Sequence, residues 1–176
     1  MVIDSCHNSI MVYWFMGLPG VGKDHCATKL SQMLSCVHID ADMFLTIYDK
    51  QALIAETFTQ KNRLNKLSRL CAEINLQLEI NTDVTVADSL PDEVSRQFVQ
   101  NNLNDNVRFI LVQSPKLLHR TRLSNRSNHF FSEDMLPGYV KKHWEPVRIP
   151  HSVLINDTSV ESKLLDRLKL QVVEDI

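Results

Sequence analysis

Met16-Gly17-Leu18-Pro19-Gly20-Val21-Gly22-Lys23-Asp24 matches the phosphate-cradling pattern G-x-x-x-x-G-K-[ST] at every defined position except the last. Three of the chain's four glycines fall inside it. Glycine lets the backbone bend tightly and brings N–H groups against an anion that a Cβ would hold away. Just upstream, Ile10-Met11-Val12-Tyr13-Trp14-Phe15-Met16 is a near-continuous apolar run, as in a strand buried on both faces. Downstream, Ala27, Leu30, Met33 and Leu34 recur at helical spacing, so Gly22-Lys23 falls at a helix N-terminus. There, unpaired N–H groups and the positive end of the helix dipole hold phosphate. Strand, loop and helix in this order predict a nucleotide site rather than a chance glycine turn.

Working outward, 176 residues with 44% hydrophobic side chains fit one domain, 1–176, with a substantial core. A formal net charge of −2 argues against a general nucleic-acid partner. No early apolar run is long enough to span a membrane, and residues 1–9 lack the charged start of a signal peptide, which predicts a cytoplasmic protein without a membrane partner. Cys6, Cys26, Cys36 and Cys71 form no C-x-x-C pair, so a disulfide framework and a cysteine metal site are not expected. They read as reduced thiols, with Cys26, Cys36 and Cys71 filling core. Oligomeric state is not legible.

After the first helix, Cys36-Val37-His38-Ile39 reads as a second strand running into Asp40-Ala41-Asp42, and a polar loop or helix follows. Leu64, Leu67, Leu70, Cys71, Ile74 and Leu78 then mark an amphipathic helix over 60–80, with Arg63, Lys66, Arg69 and Glu73 off its apolar stripe. Val84-Thr85-Val86-Ala87 is a third strand ending in Asp88-Ser89, and Pro91 suits the first turn of a helix to about Asn102. Phe109-Ile110-Leu111-Val112 is a fourth strand, and Pro115 opens the next helix. From Arg120 to Pro137 the chain reads as a basic, mobile loop; a helix to Trp144, a strand Val153-Leu154-Ile155 and a helix from Val160 to Val173 complete it. Apolar strands alternating with helices imply a three-layer α/β domain around a parallel sheet.

At this point the chain resembles the small P-loop kinases of metabolites, and among them the gluconate kinase branch of the shikimate-kinase-like group. The P-loop, Asp40-x-Asp42 after the second strand and the element order are shared by many such kinases. More telling is Arg122-Leu123-x-x-Arg126-x-x-His129-Phe130-Phe131, with Met135-Leu136 and Glu145-Pro146, which is similar to the gluconate kinase lid. The resemblance implies the sheet order 2-3-1-4-5, ATP with Mg²⁺, a lid over approximately 124–136, and a small-molecule phosphoryl acceptor, a sugar or sugar acid. The acceptor region departs from that pattern. Leu45 stands in place of a histidine, only Arg63-Leu64 and Leu67 match an Asp-Arg-x-Pro-Trp-Leu stretch, and Asp88-Ser89-Leu90-Pro91 replaces Ser-Ala-Leu-Lys, with no lysine. Polynucleotide or nucleoside 5′-hydroxyl kinases share the P-loop and a strand ending like Val86-Ala87-Asp88-Ser89. A nucleotide-binding P-loop protein with weak or lost catalysis is the third alternative.

The resemblance also assigns roles. Gly17, Gly20, Val21, Gly22 and Lys23 would cradle phosphate, Lys23 reaching the β- and γ-phosphates. Arg122 would stack on adenine or meet phosphate, and Arg126 would swing in with the lid, with a solvated basic helix end as the alternative. Asp42 would orient the acceptor hydroxyl and take its proton, while Asp40 would lie nearer the metal; turn chemistry is the competing explanation for both. Asp88 would hold metal through water, accept a hydroxyl or cap the next helix. Arg63 would clamp an anionic group of the acceptor or lie on an exposed helix face. Asp24 stands where a Ser or Thr hydroxyl normally meets Mg²⁺, so it would either coordinate the metal directly or weaken activity. His25, His38 and His143 are expected to be structural, Tyr139 and Trp144 to pack a helix, and Asn156-Asp157-Thr158 to form an adenine loop or a turn.

Overall fold

The computed structural model describes residues 10–80, 83–104, 106–124, 133–157 and 161–170. Five strands, β1 (Val12–Met16), β2 (Val37–Asp40), β3 (Val84–Ala87), β4 (Val107–Gln113) and β5 (His151–Ile155), form one sheet in the order β2-β3-β1-β4-β5. Every neighbouring pair is parallel, and β1 sits between β3 and β4 with Val12 opposite both Val84 and Val107. The expected 2-3-1-4-5 sheet is therefore present.

β1 explains why both faces are covered. Val12, Trp14 and Met16 share one core cluster with Leu67, Leu70 and Ile74 of α3 (Gln60–Glu79) and Val99 of α4 (Glu93–Asn102). Tyr13 and Phe15 point the other way, into Ala27 and Leu30 of α1 (Lys23–Leu34) and Leu164 and Leu168 of α7 (Glu161–Leu168). That alternation is the period of two along a strand. It makes the expected three layers of helix, sheet and helix.

Several local expectations change. Pro91 precedes α4 rather than entering it: Asp92 is the N-cap, its carboxylate accepting from Ser95 N at 2.8 Å. The polar stretch after β2 forms a 3-10 turn, Ala41–Phe44, and α2 (Ile47–Ile54), whose Thr46 and Asp49 make a reciprocal capping box. Arg120 and Arg122 belong to a helix, α5 (Lys116–Ser124), rather than to a loop, and Leu136-Pro137 begin α6 (Leu136–His143). Arg126, His129, Phe130, Phe131 and most of the expected lid lie outside the described residues. Cys26 and Cys71 are core, as expected, and burial pushes each thiol up to about 12; Cys36 is only half-buried at the end of α1. Among the described residues no helix is long and apolar enough to cross a membrane.

Because all strands run the same way, the turns that leave β1, β2 and β3 open on one rim of the sheet. Residues 17–24, 40–42 and 87–91 meet there around a cavity of about 350 Å³.

Candidate active site

The glycine loop forms one end of the cavity. Gly22 is the N-cap of α1 at φ 91°, with no side-chain cap, so the first N–H groups of α1 are not capped by their own N-cap. A Cβ at Gly22 would collide with Asn156 Nδ2. At Gly20 (φ 87°) a Cβ would stand 2.5 Å from Leu123 Cδ2. The loop is thus pressed against α5 and the end of β5 as well as bent, and only glycine satisfies both demands. Lys23 Nζ lies over the loop, 3.0 Å from the Leu18 carbonyl, and Lys23, Asp24, Gly20 and Gly22 all line the cavity.

Behind the loop stand groups whose contacts with it sequence reasoning did not foresee. Asn156 is buried and donates to the Val21 carbonyl at 2.8 Å. Arg122 donates to that carbonyl at 3.2 Å and to Asn156 Oδ1 at 3.2 Å. It therefore braces the loop from outside and is not among the residues lining the cavity. His119 of α5 bonds the Pro19 carbonyl at 2.6 Å. No residue spacing in the sequence signals the contacts to the loop carbonyls, which cross 100 positions or more.

Asp24 has a partner the sequence did not suggest. His38 Nε2 lies 3.2 Å from Asp24 Oδ1, and its Nδ1 lies 3.0 Å from Thr85 Oγ1. The histidine expected to be structural thus ties the unusual P-loop carboxylate to β3. Among the described residues no three His, Cys, Asp or Glu side chains converge as a ready metal cage. Asp24 and Asp40 could still serve Mg²⁺, which takes one or two carboxylates and completes its shell from phosphate and water.

Carboxylates gather at the middle. Asp40 accepts from Asp42 N at 2.9 Å, which is the turn chemistry offered as its alternative, and it also lines the cavity. Asp88 Oδ1 accepts from Lys66 Nζ at 2.9 Å and from Ser89 N at 2.8 Å. The capping role considered for it belongs to Asp92. Lys66 also lies 3.9 Å from Asp42 Oδ1. The sequence put Lys66 off the apolar stripe of its helix, yet it is 5% exposed, because α3 covers the carboxyl ends of the strands there and the ammonium meets two acids. Asp42 opens into the cavity with its side chain 59% exposed, and partial desolvation by the cavity walls raises its pKa. Lys66 opposes that rise, and Asp88 and Asp40 add to it.

The far end is built from α2, α3, α6 and the turn after β3. Arg63 lines it, 2.6 Å from Asp92 Oδ2 and 3.0 Å from Gln60 Oε1, with its guanidinium 5.8 Å from the centre of the Phe58 ring. It is only 14% exposed, so the exposed-face alternative is excluded. Tyr139 of α6 also lines the cavity; burial pushes its phenol up to about 12 despite a hydrogen bond with Ser89, leaving it protonated. Leu90, buried at φ 41°, holds a left-handed conformation that costs about 1–2 kcal/mol for a residue with a Cβ. Fully buried Arg96 fixes this turn, donating to the Leu90 and Pro91 carbonyls at 3.0 Å each and to Glu145 and Pro146.

No family model matches the chain. It is 30% identical over 132 residues to a probable gluconokinase of Dictyostelium discoideum. The chain is a gluconokinase-like P-loop kinase homologue. That match covers 72% of this chain and 66% of the relative's length, so the chain spans about two thirds of the protein it resembles. Among solved structures, a sugar kinase from Janibacter sp. HTCC2649 superposes with a TM-score of 0.79 at 17% identity, covering 93% of this chain and 95% of that one. A gluconokinase from Sinorhizobium meliloti 1021 gives 0.72 at 15% identity over 90% and 89%. An APS kinase from Mycobacterium tuberculosis gives 0.65 at 18% identity over 92% and 97%. At these identities the three establish the fold of this gluconokinase homologue.

Proposed function

We propose that this gluconokinase homologue transfers the γ-phosphoryl group of Mg-ATP to a hydroxyl of a small metabolite of the sugar or sugar-acid class. The observation that carries the proposal is one continuous cavity, lined at one end by Gly20, Gly22 and Lys23, in the middle by Asp42 and Asp88, and beyond them by Arg63 and Tyr139. Phosphoryl transfer passes through a loose transition state, so a protein accelerates it by placing donor and acceptor in line and neutralising charge. Here the N–H groups of residues 20–24 and the Lys23 ammonium hold the phosphates. Asp42 accepts the acceptor's proton, its raised pKa making it a better base than an ordinary carboxylate. Lys66 favours its ionised form and holds Asp88 as the second acceptor of a substrate hydroxyl. Magnesium, when bound, neutralises phosphate charge; Asp24 and Asp40 are the side chains that would hold it.

Asp24 supports a second possibility, nucleotide binding with weak catalysis. A carboxylate about 4 Å from a phosphate charge repels it by roughly 4 kcal/mol at an effective dielectric of 20. With Asp24 67% exposed and His38 beside it, water and the imidazole reduce that figure. An ATP-consumption screen over sugars, sugar acids, nucleosides and a 5′-hydroxyl oligonucleotide tests the proposal. Acceptor-dependent ADP release with one class supports transfer; nucleotide binding without turnover supports the second possibility.

A further inference from the structure

Asp24 is the second residue of α1, and an acid in a first helical turn is drawn to the N–H groups and positive dipole end beside it. Those are the groups that the glycine loop offers to phosphate. An unrestrained Asp24 carboxylate would compete with nucleotide for these donors as well as repel it. Resting on the reading of this loop as the phosphate end of the cavity, we infer that His38 is a positioning residue for nucleotide binding: with Thr85 behind it, it holds Asp24 toward β3 and keeps the loop's donors open to phosphate.

The sheet puts His38 where it can do this. Val37 and Ile39 face the core shared with α3, so the period of two turns His38 to the other face, the one covered by α1. His38 and Thr85 are register partners across β2 and β3. Thr85 is fully buried, and its Oγ1 lies 3.0 Å from His38 Nδ1, while His38 Nε2 lies 3.2 Å from Asp24 Oδ1. The His38 side chain is 19% exposed against 67% for Asp24, so the ring is the anchored member of the pair.

A carboxylate only accepts, so the partners assign the proton to Nε2 and leave Nδ1 to accept from the Thr85 hydroxyl. A neutral imidazole therefore satisfies both bonds. The bond to Asp24 is charge-assisted and stronger than a neutral one, enough to select one carboxylate rotamer over others.

The test is a double-mutant cycle on the affinity of metal-free ATP, read by calorimetry on the full chain in EDTA. His38→Leu should weaken binding by about tenfold, the scale of one hydrogen bond to a charged group. In the Asp24→Ser background the same change should cost less than about twofold, because the carboxylate it restrains is gone. His38→Gln, whose amide can donate to Asp24 and accept from Thr85, should stay within about threefold of the parent, which keeps the test open if His38→Leu folds poorly. Long-range ¹H–¹⁵N NMR of the neutral wild-type ring, which needs neither nucleotide nor variant, should find the proton on Nε2. Equal losses in both backgrounds would give His38 a purely structural role and overturn the inference, as would no loss in either, a ring proton on Nδ1, or no ATP binding by the wild type. Since no turnover is read, coupled ATP binding without acceptor-dependent ADP release would count against phosphoryl transfer and leave the role of His38 standing.

Discussion

The two ends of the cavity are made by different means. The phosphate end is backbone, a loop of glycines at positive φ leading into the uncapped N-terminus of α1. The acceptor end is side chain, with Arg63 reaching Asp92 across 29 positions, Lys66 reaching Asp88 across 22 and Arg96 pinning a strained Leu90. A backbone site needs glycine at fixed spacing and tolerates little else, so it leaves a signature. A side-chain site is assembled from distant elements and can be rebuilt pair by pair.

That contrast predicts unequal responses to substitution. The largest should come at the backbone end, where Lys23→Met removes the charge over the loop; turnover should fall on the order of 10³-fold, the upper scale for losing one transition-state donor. If steady-state assays find a loss under tenfold, the loop is not where the transferring phosphoryl sits.

Asp42→Asn should reduce turnover by about 100-fold while leaving Mg-ATP affinity intact, since general-base help is worth about that much. Two neighbours sharpen the assignment through pH. Asp42 must be ionised to accept a proton, so turnover falls as pH drops through its raised pKa. Lys66→Met removes the larger of two influences that lower this pKa, the other being Lys23, and should move the acid limb to higher pH. Asp88→Asn removes one that raises it and should move the limb down. Shifts in the same direction, measured as pH–rate profiles, would place the proton acceptor elsewhere.

A smaller effect is expected where the two ends meet. Asp24→Ser should improve binding of metal-free ATP by about tenfold, or 1.4 kcal/mol, because exposure and His38 already blunt the repulsion. Titrations with and without Mg²⁺ that show no gain would mean Asp24 does not face the phosphates.

The smallest effect concerns stability alone. Burial would raise the Asp49 pKa, but bonds from Thr46 and Asn62 and the Arg69 guanidinium bring it below the ordinary value. A depressed folded-state pKa contributes stability above the unfolded pKa and loses it as pH falls through the folded one. Melting curves of Asp49→Asn should therefore approach those of the parent chain in acid and fall below them near neutrality.

The same contrast explains what the sequence made legible. Apolar runs separated by helical periods were enough for the sheet order and its layers, and the P-loop was visible because its glycines are nearly all the chain has. Asp40, Asp42, Asp88 and Arg63, singled out in the sequence, line one cavity. Lys66 was misplaced because helical periodicity describes the face toward the sheet, whereas α3 also covers the strand ends, where a buried cation meets two acids. The contacts of His38 and Asn156 carried no signal, since their partners at Asp24 and Val21 lie 14 and 135 positions away. Arg122 was expected to meet adenine or phosphate, whereas its carbonyl partners at Val21 and Asn156 are backbone, which no pattern of side chains reveals.

The central claim is that one cavity carries a phosphoryl group from the glycine loop to a hydroxyl held at Asp42. The most direct measurement is ³¹P NMR of the wild-type chain with Mg-ATP and the acceptor found by screening, followed to completion. The account predicts that the γ-phosphoryl resonance is replaced by a phosphomonoester of the acceptor. Release of orthophosphate alone, at a rate indifferent to acceptor, would contradict it.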